Sequence, residues 1–150
     1  MKMKKAFLGA LVAIVAAFTT QTTQAQNLKG IPENAKSYIA RHFENSTINH
    51  YEKEADLLDI EHKVYLNHNG VSFRLEFDKY GNITEISSID NKTPLPGSVL
   101  PVKITQHVRK RYPKANIIEW ERKRGTQTIE LDNGLELVYN RNGNFLRMDD

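Results

Sequence analysis

The feature that most restricts the fold of this chain is an internal repeat with a spacing of 69 residues. Each copy starts with a proline that is followed by apolar residues about four positions apart. The matched positions are Pro32 and Pro101, Ala35 and Ile104, Ile39 and Val108, and Phe43 and Tyr112. Apolar residues at this spacing occupy one face of a helix, and proline is well accommodated in a first helical turn. The chain therefore predicts two copies of one unit, each of which begins with a helix.

After each helix the apolar period changes from about four to two, which is typical of half-buried strands. In the second copy Gln127, Ile129 and Leu131 alternate with polar residues, and Asn133-Gly134 is a strong signal for a two-residue hairpin. The first copy has the corresponding turn at Asn69-Gly70. The pattern predicts an α+β fold of two tandem repeats, each a helix packed on one face of a four-stranded antiparallel sheet, with the other face open to water.

The joint between the copies is expected at residues 91–96, where asparagine, lysine, threonine and two prolines interrupt the pattern. The predicted repeats are residues 26–94 and 95–150, and a short helical turn within 95–100 precedes the second helix. A copy of about 60 residues buries little core. We therefore expect the two copies to pack together as one unit.

Residues 1–25 have the pattern of a secretory signal. Three lysines precede an apolar stretch at residues 6–18, and small residues at Thr23 and Ala25 mark a cleavage site. The apolar stretch is too short for a membrane span, which needs about 20 residues. No cysteine is present to carry a lipid anchor. The sequence thus predicts export by a cleavable signal, to the periplasm or out of the cell, with no transmembrane segment in the mature protein.

The formal net charge of +3 belongs to the predicted signal and not to the mature chain. Loss of the three signal lysines leaves 18 basic and 18 acidic residues. An exported protein without net charge is a poor candidate for nucleic-acid binding. The first repeat has an excess of acidic residues and the second an excess of basic ones, which could steer a polarised partner.

Motifs for catalysis or metal binding are missing from the sequence. The serines lack a nucleophile elbow, and the acidic segment 52–61 lacks the order of a calcium loop. The histidines do not have the spacing of metal ligands, and they are His42, His50, His62, His68 and His107. The sequence therefore predicts no catalytic residue, no metal and no cofactor.

Two aromatic residues occupy equivalent places in the first strands of the two copies. Tyr51 lies near Lys53, and Trp120 lies near Arg122; a wide aromatic ring beside arginine is favoured at interface hot spots. Three further residues, Tyr65, Arg74 and Val138, alternate out of phase with the apolar positions. The hypothesis is a partner-binding surface on the open face, formed by Tyr51, Tyr65, Arg74, Trp120 and Arg122. The alternative is that Tyr51 and Trp120 pack under the helices.

The order of motifs in the second copy resembles the PepSY-like, β-lactamase-inhibitor-like family of small secreted proteins, found mostly in Bacteroidetes. The motifs are Leu95-Pro96, Val99-Leu100-Pro101, Ile104, Tyr112-Pro113, Ile117, Glu130, Asn133-Gly134, Glu136-Leu137, Tyr139 and Gly143-Asn144-Phe145-Leu146. The resemblance covers essentially the whole mature chain. It implies two PepSY-like units with a fold similar to β-lactamase inhibitory protein, and it implies no catalytic residues.

The sequence as a whole favours an exported, non-enzymatic binding module for an unidentified protein in the cell envelope. One alternative is a small-ligand carrier, with a pocket lined by Phe73, Phe77 and Leu137 between sheet and helices. Another is an envelope hydrolase, which needs two titratable groups in a cleft. The sequence leaves the oligomeric state open, and it does not separate the periplasm from the extracellular space.

Overall fold

The computed structural model describes residues 28–149. The chain divides into two compact units, Met1–Gly30 and Ile31–Asp150. Only a turn at residues 28–30 is described in the first unit. The predicted signal, residues 1–25, lies outside the described residues. The predicted boundary between the repeats at residues 94 and 95 falls inside the second unit and stays a prediction.

Residues 28–149 contain two α-helices and eight strands, in the order that the repeat predicts. Helix α1 spans Glu33–His42 and helix α2 spans Val102–Arg111, and a short 3-10 helix at Gly97–Val99 precedes α2. The strands are β1 Thr47–Ala55, β2 Ile60–His68, β3 Val71–Phe77, β4 Ile83–Ser88, β5 Ile117–Lys123, β6 Thr126–Leu131, β7 Glu136–Asn140 and β8 Phe145–Asp149. Each helix is thus followed by four strands.

The two helices are built alike because the repeat gives them the same signals. Each has ten residues and is preceded directly by proline, Pro32 in α1 and Pro101 in α2. The buried positions are four residues apart: Ala35 and Ile39 in α1, and Ile104 and Val108 in α2. These are the apolar positions that the sequence predicts. Three basic residues end α2, where they complement the negative end of the helix dipole.

The eight strands of the described part of the chain belong to one antiparallel sheet in sequential order, β1 to β8. The halves from the two repeats are joined where β4 pairs with β5, through Glu85 and Glu121, Ile86 and Trp120, and Ser87 and Glu119. The structure therefore has one shared sheet where the sequence predicted a four-stranded sheet for each repeat. Pairing these two strands removes two sheet edges whose backbone groups would otherwise be unpaired.

Both helices lie on the same face of this sheet. Helix α1 contacts it through the Tyr38 and Phe77 rings, with centroids 5.9 Å apart, and helix α2 through His107 and the Tyr139 hydroxyl, 2.9 Å apart. A row of directly paired residues crosses the covered face, and its members are Tyr51, Val64, Leu75, Ile86, Trp120, Ile129, Leu137 and Met148. The six central residues of the row are buried, so the core lies between this face and the helices.

A glycine in each repeat allows the last hairpin to approach the start of the helix. Gly81 has φ +83°, and a Cβ there would lie 2.9 Å from the Ala35 backbone nitrogen. Gly143 has φ +80°, and a Cβ there would lie 3.2 Å from the Lys103 Cβ. Both the left-handed backbone and the close contact favour glycine. A glycine with a left-handed backbone conformation therefore lies against the start of each helix.

Candidate binding face of the sheet

The sheet face opposite the helices is called the open face here. Side chains alternate between the two faces of a strand, so the open face consists of the residues between those of the covered row. One of its rows contains Glu52, Lys63, Glu76, Glu85, Glu121, Thr128, Val138 and Arg147. The next row contains His50, Tyr65, Arg74, Ser87, Glu119, Glu130, Glu136 and Asp149.

Glutamates stand directly opposite glutamates on this face. The pairs are Glu54 with Glu61, Glu76 with Glu85, Glu85 with Glu121, Glu119 with Glu130, and Glu130 with Glu136. Like charges that face each other across a strand pair destabilise a sheet. We call Glu76, Glu85, Glu119, Glu121, Glu130 and Glu136 the glutamate strip. Its arrangement does not serve the stability of the fold.

Three cations on the open face neutralise part of the glutamate strip. The Arg74 guanidinium donates to the Glu85 carboxylate, and its Nε lies 3.4 Å from Glu76 Oε1. The Lys63 ammonium lies 3.0 Å from Glu54 and 3.8 Å from Glu76. The Lys123 ammonium lies 3.4 Å from Glu121, but four glutamates of the strip lie on β5 to β7, so these strands keep an excess of negative charge on this face.

The crowding of carboxylates changes their protonation. Burial, followed by the nearby Glu85 and Glu130 carboxylates, raises the pKa of Glu119 to about 7. Burial and the Glu85 carboxylate also raise the pKa of Glu76. Both shifts have the sign expected for carboxyls that lose water and gain like-charged neighbours. The charge of the open face therefore changes near neutral pH.

Two of the five predicted partner-binding residues lie on the open face. Tyr65 is half-buried in β2, and its ring centroid is 5.7 Å from that of His50. Arg74 is directly opposite Tyr65 on β3. Val138, which the sequence placed in the same phase, also lies on this face, between Thr128 and Arg147. The alternation in the sequence therefore assigns these three residues to the correct face.

The prediction that Tyr51 and Trp120 line the open face is wrong. Trp120 is only 5% exposed and donates from its indole nitrogen to Gln127 Oε1, 3.0 Å away. The Tyr51 hydroxyl is 2.7 Å from His62 Nδ1, and the two rings are stacked. Both aromatic residues lie on the covered face, as the alternative in the sequence analysis proposed. The polar residues on either side of Trp120, at positions 119 and 121, are the signal for this orientation.

Arg122 also lies off the open face, because it is two residues beyond Trp120 on the same strand. Its Nη2 donates to the Ile83 carbonyl oxygen over 3.0 Å, and its guanidinium carbon is 6.0 Å from the Trp120 ring. Its side chain is exposed at the end of the sheet. The prediction that Arg122 belongs to an open-face surface is therefore also wrong.

The sequence pattern does not reveal the glutamate strip. Each of its glutamates alternates with apolar residues, which is also the pattern of an ordinary solvated face. Only the register of strand pairing shows that the carboxylates are opposite one another. In the described part of the chain, histidine and acidic side chains do not form a group of three or more that could hold a metal ion.

The structure thus defines a two-repeat α+β protein in which both helices cover one face of a shared sheet. The sequence profile of the family described as "putative beta-lactamase-inhibitor-like, PepSY-like" matches the chain twice, at residues 19–85 and 61–147. The chain belongs to this family. The first match includes α1 and the second includes α2, and the two matches overlap at residues 61–85.

Three solved structures from Bacteroides are similar to this chain over 82% of its length. One is a "putative periplasmic protein of unknown function" from Bacteroides vulgatus, with 28% identity, a TM-score of 0.72 and 94% of that chain covered. Another is a "putative periplasmic protein" of the DUF2874 family from the same species, with 29% identity, a TM-score of 0.71 and 93% coverage. The third is a "putative calcium-regulated periplasmic protein" from Bacteroides thetaiotaomicron, with 29% identity, a TM-score of 0.73 and 93% coverage.

No curated protein matches the chain. Within residues 28–149, no helix has both the length and the apolar character needed to cross a membrane. The similar structures carry periplasmic descriptions, and these agree with the exported location that the sequence predicts.

Proposed function

We propose that this protein is a non-enzymatic binding module of the cell envelope, in the periplasm or outside the cell, that binds a protein partner on the open face of its sheet. The observation that carries the proposal is the set of opposed glutamates on that face. Like charges held together at a cost in stability are typical of surfaces kept for binding. The family description as inhibitor-like supports the same class of function.

The charge of the open face indicates the chemistry of the partner. A lysine-rich or arginine-rich segment would relieve the repulsion within the glutamate strip, because each of its cations would approach two carboxylates at once. Tyr65 adds a half-buried ring beside the strip, and Arg74 holds Glu85 in place. These two residues remain in the proposed contact surface, while Tyr51, Trp120 and Arg122 are removed from it.

The two alternative functions have weaker support. Phe73, Phe77 and Leu137, the residues expected to line a carrier pocket, are no more than 2% exposed. The Phe73 ring packs against Phe43 with centroids 5.5 Å apart, so protein side chains occupy that space. A hydrolase would need titratable groups in a cleft. The raised pKa of Glu119 is instead explained by burial and by like charges along an open sheet.

Affinity capture from the envelope fraction of the producing cell tests the proposal. The exported protein carries a C-terminal tag and is compared with Glu121→Lys, Glu130→Lys on the open face. The matched control is Glu33→Lys, Glu44→Lys, which makes the same change of charge at exposed positions outside that face. Circular dichroism confirms that each variant is folded.

We expect an envelope protein that the wild type and the control retain and that the open-face variant loses. Equal retention by all three proteins would place the binding surface elsewhere. Failure of the wild type to retain any protein would contradict a tight-binding module and would favour the carrier.

A further inference from the structure

A cleft rich in arginine lies at the end of the sheet where the turns after β3, β5 and β7 come together. It has a volume of about 390 Å³. It is lined by Asp78, Thr84, Arg122, Arg124, Gly125, Thr126 and Arg141. We call it the arginine cleft. No member of the glutamate strip lines it, and the proposed function makes no use of it.

The positive charge in the arginine cleft is not neutralised by ion pairs. Across residues 28–149, the ion pairs closer than 4 Å do not include Arg122, Arg124 or Arg141. Asp78 is the acidic residue of the lining, but its carboxylate accepts hydrogen bonds from Tyr80 and Asn82 within its own turn. The charge of Arg122 also helps to lower the pKa of Asp78, so one carboxylate offsets part of the charge of three guanidinium groups.

The backbone at Arg124 indicates that an arginine is kept there at a cost. Arg124 has φ +47°, in the left-handed region. The other non-glycine residues with positive φ in the described chain are Asn45, Asn69 and Asn91. Asparagine enters this region most readily after glycine, whereas arginine is strained there. Strain of this kind persists mainly where the side chain has a function.

One guanidinium group of the cleft is held in position by a hydrogen bond, and another lies against the β5–β6 turn. Arg122 donates to the Ile83 carbonyl oxygen over 3.0 Å. Arg141 lies across the β5–β6 turn, with its Nη2 3.9 Å from the place where a Cβ on Gly125 would be. At that distance a Cβ would make ordinary van der Waals contact with the Arg141 guanidinium, so this guanidinium lies against the turn. Preorganised donors lose less conformational entropy when they bind.

We propose that the arginine cleft binds a small anion with several oxygen atoms, the chemistry shared by phosphate, sulfate and carboxylate groups. Guanidinium groups donate paired N–H bonds that match such groups. Among the three arginines, Arg141 distinguishes this cleft from its neighbour. Arg122 and Arg124 also line a neighbouring cleft on the side of Glu85 and Glu121, but Arg141 does not. The corresponding hairpin of the first repeat has two aspartates at its tip, Asp56 and Asp59, and the three arginines of the cleft all come from the second repeat.

The test is a titration of the exported protein with inorganic pyrophosphate, sodium sulfate and citrate at constant ionic strength. Isothermal calorimetry measures affinity, and the arginine Nε–Hε signals in NMR spectra locate the ligand. The cleft variants are Arg141→Gln and Arg124→Asn. The matched control is Arg109→Gln, Lys110→Gln, which removes two charges from the exposed end of α2. Comparing the three anions identifies the preferred oxyanion.

We expect saturable binding by the wild type and the control, and affinity at least about tenfold weaker in each cleft variant, because charge-assisted hydrogen bonds are lost. Arg124→Asn has a second expected effect: a higher melting temperature, because asparagine relieves the strain of the turn. A variant that is more stable yet binds more weakly cannot have lost affinity through misfolding. Equal weakening in the control, undiminished binding by Arg141→Gln, or no saturable binding by the wild type would each overturn the proposal.

Discussion

Replacing Glu119 by glutamine tests whether ionised carboxylates on the open face destabilise the folded protein. Glu119 is half-buried on β5, directly opposite Glu130. Its pKa rises from 4.5 to about 7, through burial first and then through Glu85 and Glu130. Each tenfold change in an ionisation equilibrium corresponds to about 1.4 kcal/mol, so full ionisation would cost the folded state about 3 kcal/mol. Since solvent reaches this face and screens the charges, we expect about 1 to 2 kcal/mol.

The direction of the pH dependence follows from the raised pKa. Below pH 4.5 the carboxyl is protonated in both the folded and the unfolded chain, and it has no electrostatic cost. As the pH rises toward 7 and beyond, the unfolded chain ionises freely while the folded chain ionises against burial and like charges. The wild type therefore loses stability over this window. Glu119→Gln removes the ionisation, so its advantage is absent at pH 4 and largest at about pH 8.

Urea denaturation at a series of pH values between 4 and 8 measures this difference, because urea does not screen charges. Glu44→Gln, an exposed glutamate in the loop after α1, is the matched control and should show no such pH-dependent gain. A carbon-detected NMR titration of the Glu119 carboxyl reports the midpoint directly. A stabilisation that is the same at pH 4 and pH 8, or a midpoint near 4.5, would refute the reasoning.

Three further changes test the packing of the fold by urea denaturation. Trp120→Ala should destabilise the chain by about 3 to 5 kcal/mol, as for other buried tryptophans; a loss below 1 kcal/mol would mean that the indole is not in the core. Gly81→Ala should cost about 2 to 4 kcal/mol, because it combines a left-handed backbone with a contact at Ala35, whereas full tolerance would contradict that close approach. Leu57→Ser, Leu58→Ser should change stability by less than about 0.5 kcal/mol, because both leucines are at least 94% exposed; a larger loss would show that the hairpin tip is packed.

The elements that could be predicted from the sequence are those specified by neighbours in the chain. Proline at positions 32 and 101 and apolar residues four apart predict both helices, and the buried residues of α1 and α2 are the predicted ones. Asn69-Gly70 predicts a tight hairpin, and the structure places it between β2 and β3. These signals depend on local backbone preference and on periodicity, which a single sequence contains in full.

The joining of the two repeats could not be predicted in the same way. The β4–β5 pairing brings Ile86 against Trp120 across more than 30 residues of chain, and no local signal specifies it. A bulge between Ile117 and Glu119 also shifts the register of β5. Ile117 and Trp120 are three positions apart but lie on the same face, so alternation counted from Ile117 assigns Trp120 to the wrong face. The two glutamates that flank Trp120 indicate its orientation correctly.

The two polar surfaces differ in how far the sequence could have revealed them. The arginine cleft collects residues from the turns after β3, β5 and β7, so only the order of strands in the sheet brings them together. The glutamate strip needs in addition the register of each pair, because a shift of one residue moves a side chain to the other face. Both surfaces depend on pairing between strands that are distant in the sequence, and the sequence pattern does not indicate that pairing.

The residues that stabilise the fold and the residues that are available for function lie in different parts of the molecule. The covered face is regular, since a row of paired apolar side chains crosses it and both helices pack there. The unfavourable features lie elsewhere: opposed carboxylates on the open face, and a left-handed Arg124 in a cleft whose lining has three arginines and one aspartate. Because destabilising features are retained chiefly where they serve another role, the open face and the arginine cleft are the places where binding partners should be sought first.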